Sequence, residues 1–418
     1  MATYKEQNKL NVPHLRFPEF HGEWEKCKLG DIATLTKGSG ISKDQRSATG
    51  TPCILYGELY TTYKSEVIDY VVSKTDISDK NLVRSCANDI IIPSSGETAI
   101  DISTARCVLS PDVLLGGDLN IIRLNDGDGR FFSYQLNGVR KHDIAKIAQG
   151  VSVVHLYGES IKGLTVSFPS NKEQQKISTL LSLIDERIAT QSKLIEDLKK
   201  LKSAIVEKVF CSPNQEYPMC RIEGFEQALS TYKMSDFSSR IATKNKDSKC
   251  SLVLTIAAQY GLVNQESFFN KSVASENLTG YYLLHKGEFA YNRSYSAGYD
   301  WGTVKRLDNY DEGVLSTLYI CFKINETIVD SDYLAYYFES TKWHRGLSDI
   351  AGEGARNHGL LNVSMADYFN TKHRFPVIEE QKAIAKILNA ITEKERKATL
   401  LGECYQKQKQ YLLCQMFT

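Results

Sequence analysis

Two stretches of this chain say nearly the same thing. FPSNKEQQKI at 168–177 and FPVIEEQKAI at 375–384 stand 207 positions apart, and a long helical pattern follows each. At that offset identity runs through Phe168/Phe375, Pro169/Pro376, Glu173/Glu380, Gln174/Gln381, Ile177/Ile384, Leu181/Leu388, Ile184/Ile391 and Glu186/Glu393. It returns at Lys202/Lys409 and Phe210/Phe417. An offset of 205 pairs Arg16, Phe20, Lys28 and Asp31 with Arg221, Phe225, Lys233 and Asp236. The 418 residues are therefore two copies of one plan, a globular module and then a helix. The expected boundaries are a first module at 1–167, its helix at 168–210, a linker at 211–218, a second module at 219–374 and its helix at 375–418.

Each helix is signalled at its start. Pro169 ends an extended segment, Asn171 is placed to cap, and Gln174 follows three residues on, as in a capping box. Ile378 takes the cap position in the second copy, so that start is expected to be less well held. Apolar residues then recur at 4–3 spacing: Ile177, Leu181, Ile184, Ile188, Ile195, Leu198, Ile205 and Val209. The second stripe is Ile384, Leu388, Ile391, Ala398, Tyr405, Leu412 and Met416. Gln191 and Lys202 interrupt the first, and Glu395, Gly402 and Lys409 the second. A stripe every 3.5 residues is a coiled-coil seam. Two matched seams predict that the helices, each roughly 57 Å long at 1.5 Å per residue, pair with each other antiparallel. The expected fold class is mixed α/β: two globular α/β domains joined by a pair of long antiparallel coiled-coil helices, with a pseudo-two-fold internal repeat. A helix packed only on its own module is the plainer alternative.

The bulk numbers bound the function. No run of about 18 apolar residues occurs, which predicts no membrane span. The polar start, MATYKEQNKLNVPHLRF, lacks a signal core, so a cytoplasmic location is expected. Ten cysteines are scattered without C-x-x-C spacing, which suits reduced thiols better than a metal site. A net charge of +1 argues against a protein that merely coats nucleic acid. No phosphate loop, G-x-G-x-x-G, G-x-S-x-G, H-E-x-x-H or clustered nuclease carboxylates are found. The chain is expected not to be an enzyme.

Between the anchors, both modules read as mixed α/β. TPCILYGEL, NDIIIPSSG and LNIIRLND in the first, and SLVLTIAAQ, GEFAYNRS and LYICFKIN in the second, read as strands. Segments 131–148 and 333–340 look helical. What stands out is loops mixing Arg, Tyr, Ser, Asn and Gly, residue types that suit DNA. Arginine reads guanine, Asn and Gln read adenine, and small polar groups hold phosphates. The candidate DNA-binding residues are Tyr56, Tyr60, Thr62, Ser94, Ser95, Arg106 and His155 in the first module. In the second they are Gln259, Tyr260, Asn292, Arg293, Tyr295, Arg356, Asn357 and His358. Singly, a tyrosine more often fills a core and an arginine as often sits in solvent, so the loops carry this reading together.

Two dissimilar modules, each followed by F-P-x-x-x-E-Q-x-x-I and a long helix, resemble the DNA-specificity (S) subunit of Type I restriction–modification enzymes. RFPEFHGEWEKCKLGD at 16–31, YNRSYS at 291–296 and GARNHGLLNVS at 354–364 look like recognition-domain segments of that family. The second module lacks the second Pro and the Trp of its counterpart. The resemblance implies a chain without catalysis that reads a bipartite, asymmetric target in double-stranded DNA, one domain per half-site. It implies two methylation (M) subunits docked on the helices and restriction (R) subunits beyond them. S-adenosylmethionine, ATP and Mg²⁺ would be bound by those partners and none by this chain. Two other readings of the residues stay open: a coiled-coil interaction scaffold without DNA, and a self-contained DNA-modifying enzyme.

Overall fold

The computed structural model describes residues 10–78, 81–271, 277–294, 298–350, 356–357, 360–361 and 363–418, with backbone alone at 247, 356–357 and 360. The chain divides into two compact units. One comprises Met1–Lys193 with Thr399–Thr418, and the other Leu194–Ala398. Both are mixed α/β. The long helices run Asn171–Val209 and Ile378–Gln415, so each starts in one unit and ends in the other.

In the first unit a five-stranded sheet has the order Ala33–Lys37, Leu119–Leu124, Asp89–Pro93, Arg106–Val108, Val67–Ile68. Only the last pair is parallel. The central strand is buried throughout. Ile90, Ile92 and Ile122 enter one core with Phe131 and Tyr134, while Ile91 and Ile121 enter another with Leu59 and Tyr63. That two-sided burial explains a continuous Ile-Ile-Ile run where a half-exposed strand would alternate. The second unit has a four-stranded sheet in the order Ser238–Arg240, Ile320–Ile324, Phe289–Asn292, Thr303–Arg306. This matches the first four strands of the other unit, place for place. Phe289 and Tyr291 again face one core and Ala290 another.

The repeated residues build the frame of each unit. Glu25–Lys28 pairs antiparallel with Thr165–Phe168, and Ser230–Lys233 with Lys372–Phe375. Asp31 and Asp236 accept from the backbone N–H of Lys28 and Lys233. Arg16 clasps buried Glu173 with two bonds of 2.8 Å, and Arg221 clasps buried Glu380 at 2.7 and 2.9 Å. Gln174 donates to the Pro169 carbonyl and accepts from Asp128 N–H; Gln381 donates to Pro376 and accepts from Asp330 N–H. Asp128 and Asp330 in turn cap the helices Gly129–Asn137 and Ser331–Tyr337. The Glu-Gln dipeptide therefore ties three chain segments together, once per unit.

This corrects the expected helix starts. Asn171 is inside the helix and donates to the Asp126 carboxylate instead of capping. The carbonyls of Ser170 and Val377 accept the first turn's N–H groups. Gln174 does not reach back to a cap N–H, and the second start is held by the same clasps as the first. Segment 131–148 is two helices, Gly129–Asn137 and Lys141–Ile147, rather than one. Gly138 separates them. A Cβ there would lie 3.0 Å from the Tyr134 carbonyl oxygen and 3.5 Å from Leu413 Cβ of the second long helix.

Within each unit, halves of both long helices share one core. In the first, Ile177, Leu181 and Ile184 lie buried with Leu412, Met416 and Phe417. In the second, Val206 and Phe210 lie with Ile384, Ala385 and Leu388. Ile188 packs half-buried against the first core, Ile195 and Ile391 are half-buried, and Leu198 is buried. Lys409 reaches Glu66 and Asp185 and lies over the Tyr134 ring; its repeat mate Lys202 reaches Glu339 and lies over Tyr336. The lysines read as interruptions are therefore seam residues with partners. The helix also runs unbroken through Gly402.

Candidate nucleic-acid interface

In the first unit the loops after Ala33–Lys37 and Thr51–Ile54 meet the turn at 116–118 around a cavity of about 750 Å³. Tyr56, Tyr60 and Thr62 line it together with Lys43, Arg46, Glu58 and Asp118. The helix Glu58–Thr61 carries Tyr60, and Tyr56 stands in the turn that leads into it. Its own anchor is Glu58, a buried carboxylate that accepts from Leu55 N–H at 2.8 Å and from the Ser73 hydroxyl. Burial raises the Tyr60 hydroxyl pKa, and Tyr56, Glu97 and Asp101 add to the rise, so it stays a neutral donor and acceptor. Ser94 is buried beside this wall and its hydroxyl lies 3.4 Å from Asp118. Ser95 and His155 form a second group, paired across two short strands, with exposed His155 stacked on Tyr157 at 6.2 Å.

Arg106 does not belong to that surface. It is 8% exposed and donates to the carbonyls of Ala105 and Tyr63 at 3.1 Å. Burial lowers its pKa, which nearby Glu66 and Asp185 partly restore. A guanidinium fixed on backbone carbonyls inside the sheet is a structural brace, because leaving them would strand buried acceptors.

In the second unit Gln259 and Tyr260 stand exposed at the turn of the hairpin Leu254–Ala257/Gly261–Asn264. Asn292 ends its strand and accepts from Ser294 N–H. Arg293 is half-buried and donates to the carbonyls of Val363 and Leu318, while its own carbonyl accepts from Leu361 N–H. It braces the segment where Arg356–Asn357 pairs with Leu360–Leu361. Tyr295 and His358 lie outside the described residues, as do the side chains of Arg356 and Asn357.

Sequence reading missed Lys43 and Arg46. Their signal is a loop carrying two cations between two strands, and it looked like any solvated turn. Among the described residues no group of His, Cys, Asp or Glu could hold a metal ion, and no helix is long and apolar enough to cross a membrane.

Residues 21–200 match the family described as Type I restriction modification DNA specificity domain. The chain is 26% identical over 217 residues to the type I restriction enzyme MjaVIII specificity subunit of Methanocaldococcus jannaschii, covering 50% of this chain. It spans only 46% of that relative's length. A provisionally assigned MjaX specificity subunit of the same organism is 23% identical over 94% of this chain and 92% of its own. The fold is shared with the crystal structure of a Type-I restriction-modification S subunit from M. genitalium, at a TM-score of 0.61 and 17% identity. That match covers 97% of this chain and 99% of the other. The matched domain lies in the first copy and the same frame is rebuilt in the second, so the likeness to type I specificity subunits runs through both halves of the chain.

Proposed function

We propose that this chain reads a bipartite DNA target, each unit addressing one half-site, and that it scaffolds the methylation and restriction subunits. The observation that carries this is the doubled frame. The Arg–Glu clasp, the glutamine tie and the strand pair recur in both units, while the loops they hold differ in sequence and length. Similar frames with unlike loops suit a target whose halves differ. Support for an antiparallel pair of coiled-coil helices comes from the two cores, where the start of each helix packs with the end of the other.

Docking of two M subunits on the helices is supported by apolar residues that face away from both cores. Leu183, Leu194 and Leu201 on the first helix and Ile387, Leu400 and Leu401 on the second are exposed, and Leu194 and Leu401 are repeat mates. R subunits join through the assembled complex. S-adenosylmethionine, ATP and Mg²⁺ belong to those partners, and the complex works in the cytoplasm, where its DNA is. The tyrosine-lined cavity and the His155–Tyr157 group are the contact surface of one half-site; the Gln259–Tyr260 turn and the segment braced by Arg293 serve the other.

Methylome sequencing of cells carrying the complete system, with and without this chain, tests the proposal. The expected result is that one split adenine motif disappears with the chain. An unchanged methylome sinks it.

A further inference from the structure

We propose that Arg46 is a specificity-determining residue of the first unit, reading a guanine in one half-site. This rests on the DNA-reading function proposed above and assigns a base contact within it.

The backbone on both sides of Arg46 is pinned. The Gln45 carbonyl accepts from the Thr75 hydroxyl at 2.7 Å, and Ser47 N–H donates to the Lys74 carbonyl at 2.8 Å. The side chain is about two-fifths exposed and lines the 750 Å³ cavity beside Tyr56, Tyr60 and Thr62. Its Nε donates to the Lys43 carbonyl at 3.3 Å, and its Nη1 lies 3.5 Å from Glu58 Oε1. Glu58 is itself fixed, buried and bonded to Leu55 N–H and the Ser73 hydroxyl. An oriented guanidinium loses less side-chain freedom on binding than one swinging in water. Two of its five N–H donors are engaged here, which leaves enough for the two acceptors, N7 and O6, on guanine's major-groove edge.

The surrounding charge decides between a base and a phosphate. Two carboxylates, Glu58 and Asp118, line the same cavity. Lys43 and Arg46 line it too, so the four charges balance and the cavity has no net positive field to draw a phosphodiester, whereas a base edge needs only hydrogen-bond geometry. The arginine's charge is already partly matched by Glu58, so hydrogen-bond geometry is what it has left to offer.

The test uses the full chain with its M subunits, scored by methylome sequencing and by binding to duplexes across a salt series. Arg46→Ala and Arg46→Lys should both relax one guanine position of one half-site, reducing the preference for guanine roughly ten- to a hundredfold. The other half-site should stay as stringent as before, which reports that the complex is folded. Arg46→Lys keeps the charge and loses the fork, so its salt dependence should match the wild type. Unchanged stringency at every position in both variants overturns the assignment. So does weakening that is uniform across sequences, with the salt slope reduced by about one in Arg46→Ala, because that identifies a phosphate contact. Loss of both half-sites in Arg46→Lys would make Arg46 a structural residue and also overturns it. Absence of any split motif with the wild-type chain would instead be a failure of the DNA-reading function itself.

Discussion

At the scale of single residues, the repeated letters turn out to be ties rather than contacts with a ligand. Glu173 and Glu380 are almost wholly buried and each meets one arginine from far along the chain. A buried carboxylate without its partner costs several kcal/mol, so neither member of the pair drifts freely. His373 shows the same economy in the second unit. It is fully buried, with Nδ1 3.0 Å from the Tyr337 hydroxyl and Nε2 2.8 Å from Thr371 Oγ1. Thr371 spends its only hydroxyl proton on the Tyr368 carbonyl, so Nε2 must be the donor and Nδ1 the acceptor. That pairing is the one a neutral imidazole makes, and burial keeps it neutral by pushing its pKa down to about 3 from an ordinary 6.5. Above pH 6.5 neither the folded nor the unfolded state holds the proton, and the group gives no pH dependence. Between 6.5 and 3 the unfolded state alone takes it up, so stability falls as pH falls. The expected loss from pH 6.5 to 4.5 is about 2 kcal/mol from this group. His373→Gln should flatten that part of the slope, at a cost of about 1–2 kcal/mol at neutral pH. Urea unfolding at a series of pH values measures both; an equal slope in the variant would refute the assignment.

At the scale of elements, the long helices were the most legible part of the sequence and the loops between strands the least. The 4–3 stripe is legible because its end positions meet a core: Ile177, Leu181, Ile384 and Leu388 are all buried. What the pattern hid was the use of its polar positions. Lys409 is 13% exposed, against carboxylates Glu66 and Asp185 at 10% and 8%. Lys202 is 18% exposed against a single Glu339 at 35%. Lys409→Met would leave two neighbouring buried carboxylates without their cation, at a cost of about 3–5 kcal/mol. Lys202→Met frees one better-hydrated carboxylate and should cost about 1 kcal/mol. Chemical denaturation of the two variants should separate them clearly, and equal losses would show that the burial difference carries no energy. The loops were harder because their residue types serve two ends. Arg106 and Arg293 have the same composition signal as Arg46, yet each is fixed on two backbone carbonyls, where Arg46 meets one. Only the tertiary neighbours tell a brace from a reader.

At the scale of the whole molecule, internal repetition fixed the number of units but not their membership. Offsets of 207 and 205 mark where each copy begins, and strand order then repeats as the offsets require. The matched seams predict that the helices pair, but which helix ends share a core is seen only in three-dimensional contacts. The last twenty residues belong to the core of the first unit, although most of that unit lies before residue 194. Phe417 packs against Trp24 at 6.4 Å and Phe131 at 5.1 Å, and Leu412 and Met416 are buried in the same cluster. Removing a buried Phe, Leu or Met side chain costs about 2–5 kcal/mol each, so losing all three approaches the whole stability of an ordinary domain. Truncation after residue 398 is therefore expected to open the first unit and spare the second. In hydrogen exchange, amides of Ile90–Ile92 and Phe131–Leu136 should lose protection, while those of Ile320–Ile324 and Leu334–Tyr337 keep it. Phe417→Ala should produce the same pattern in milder form, at about 3–5 kcal/mol. Loss of protection in the second unit instead would mean that the C-terminal segment stabilises the helix that carries it and not the core it enters.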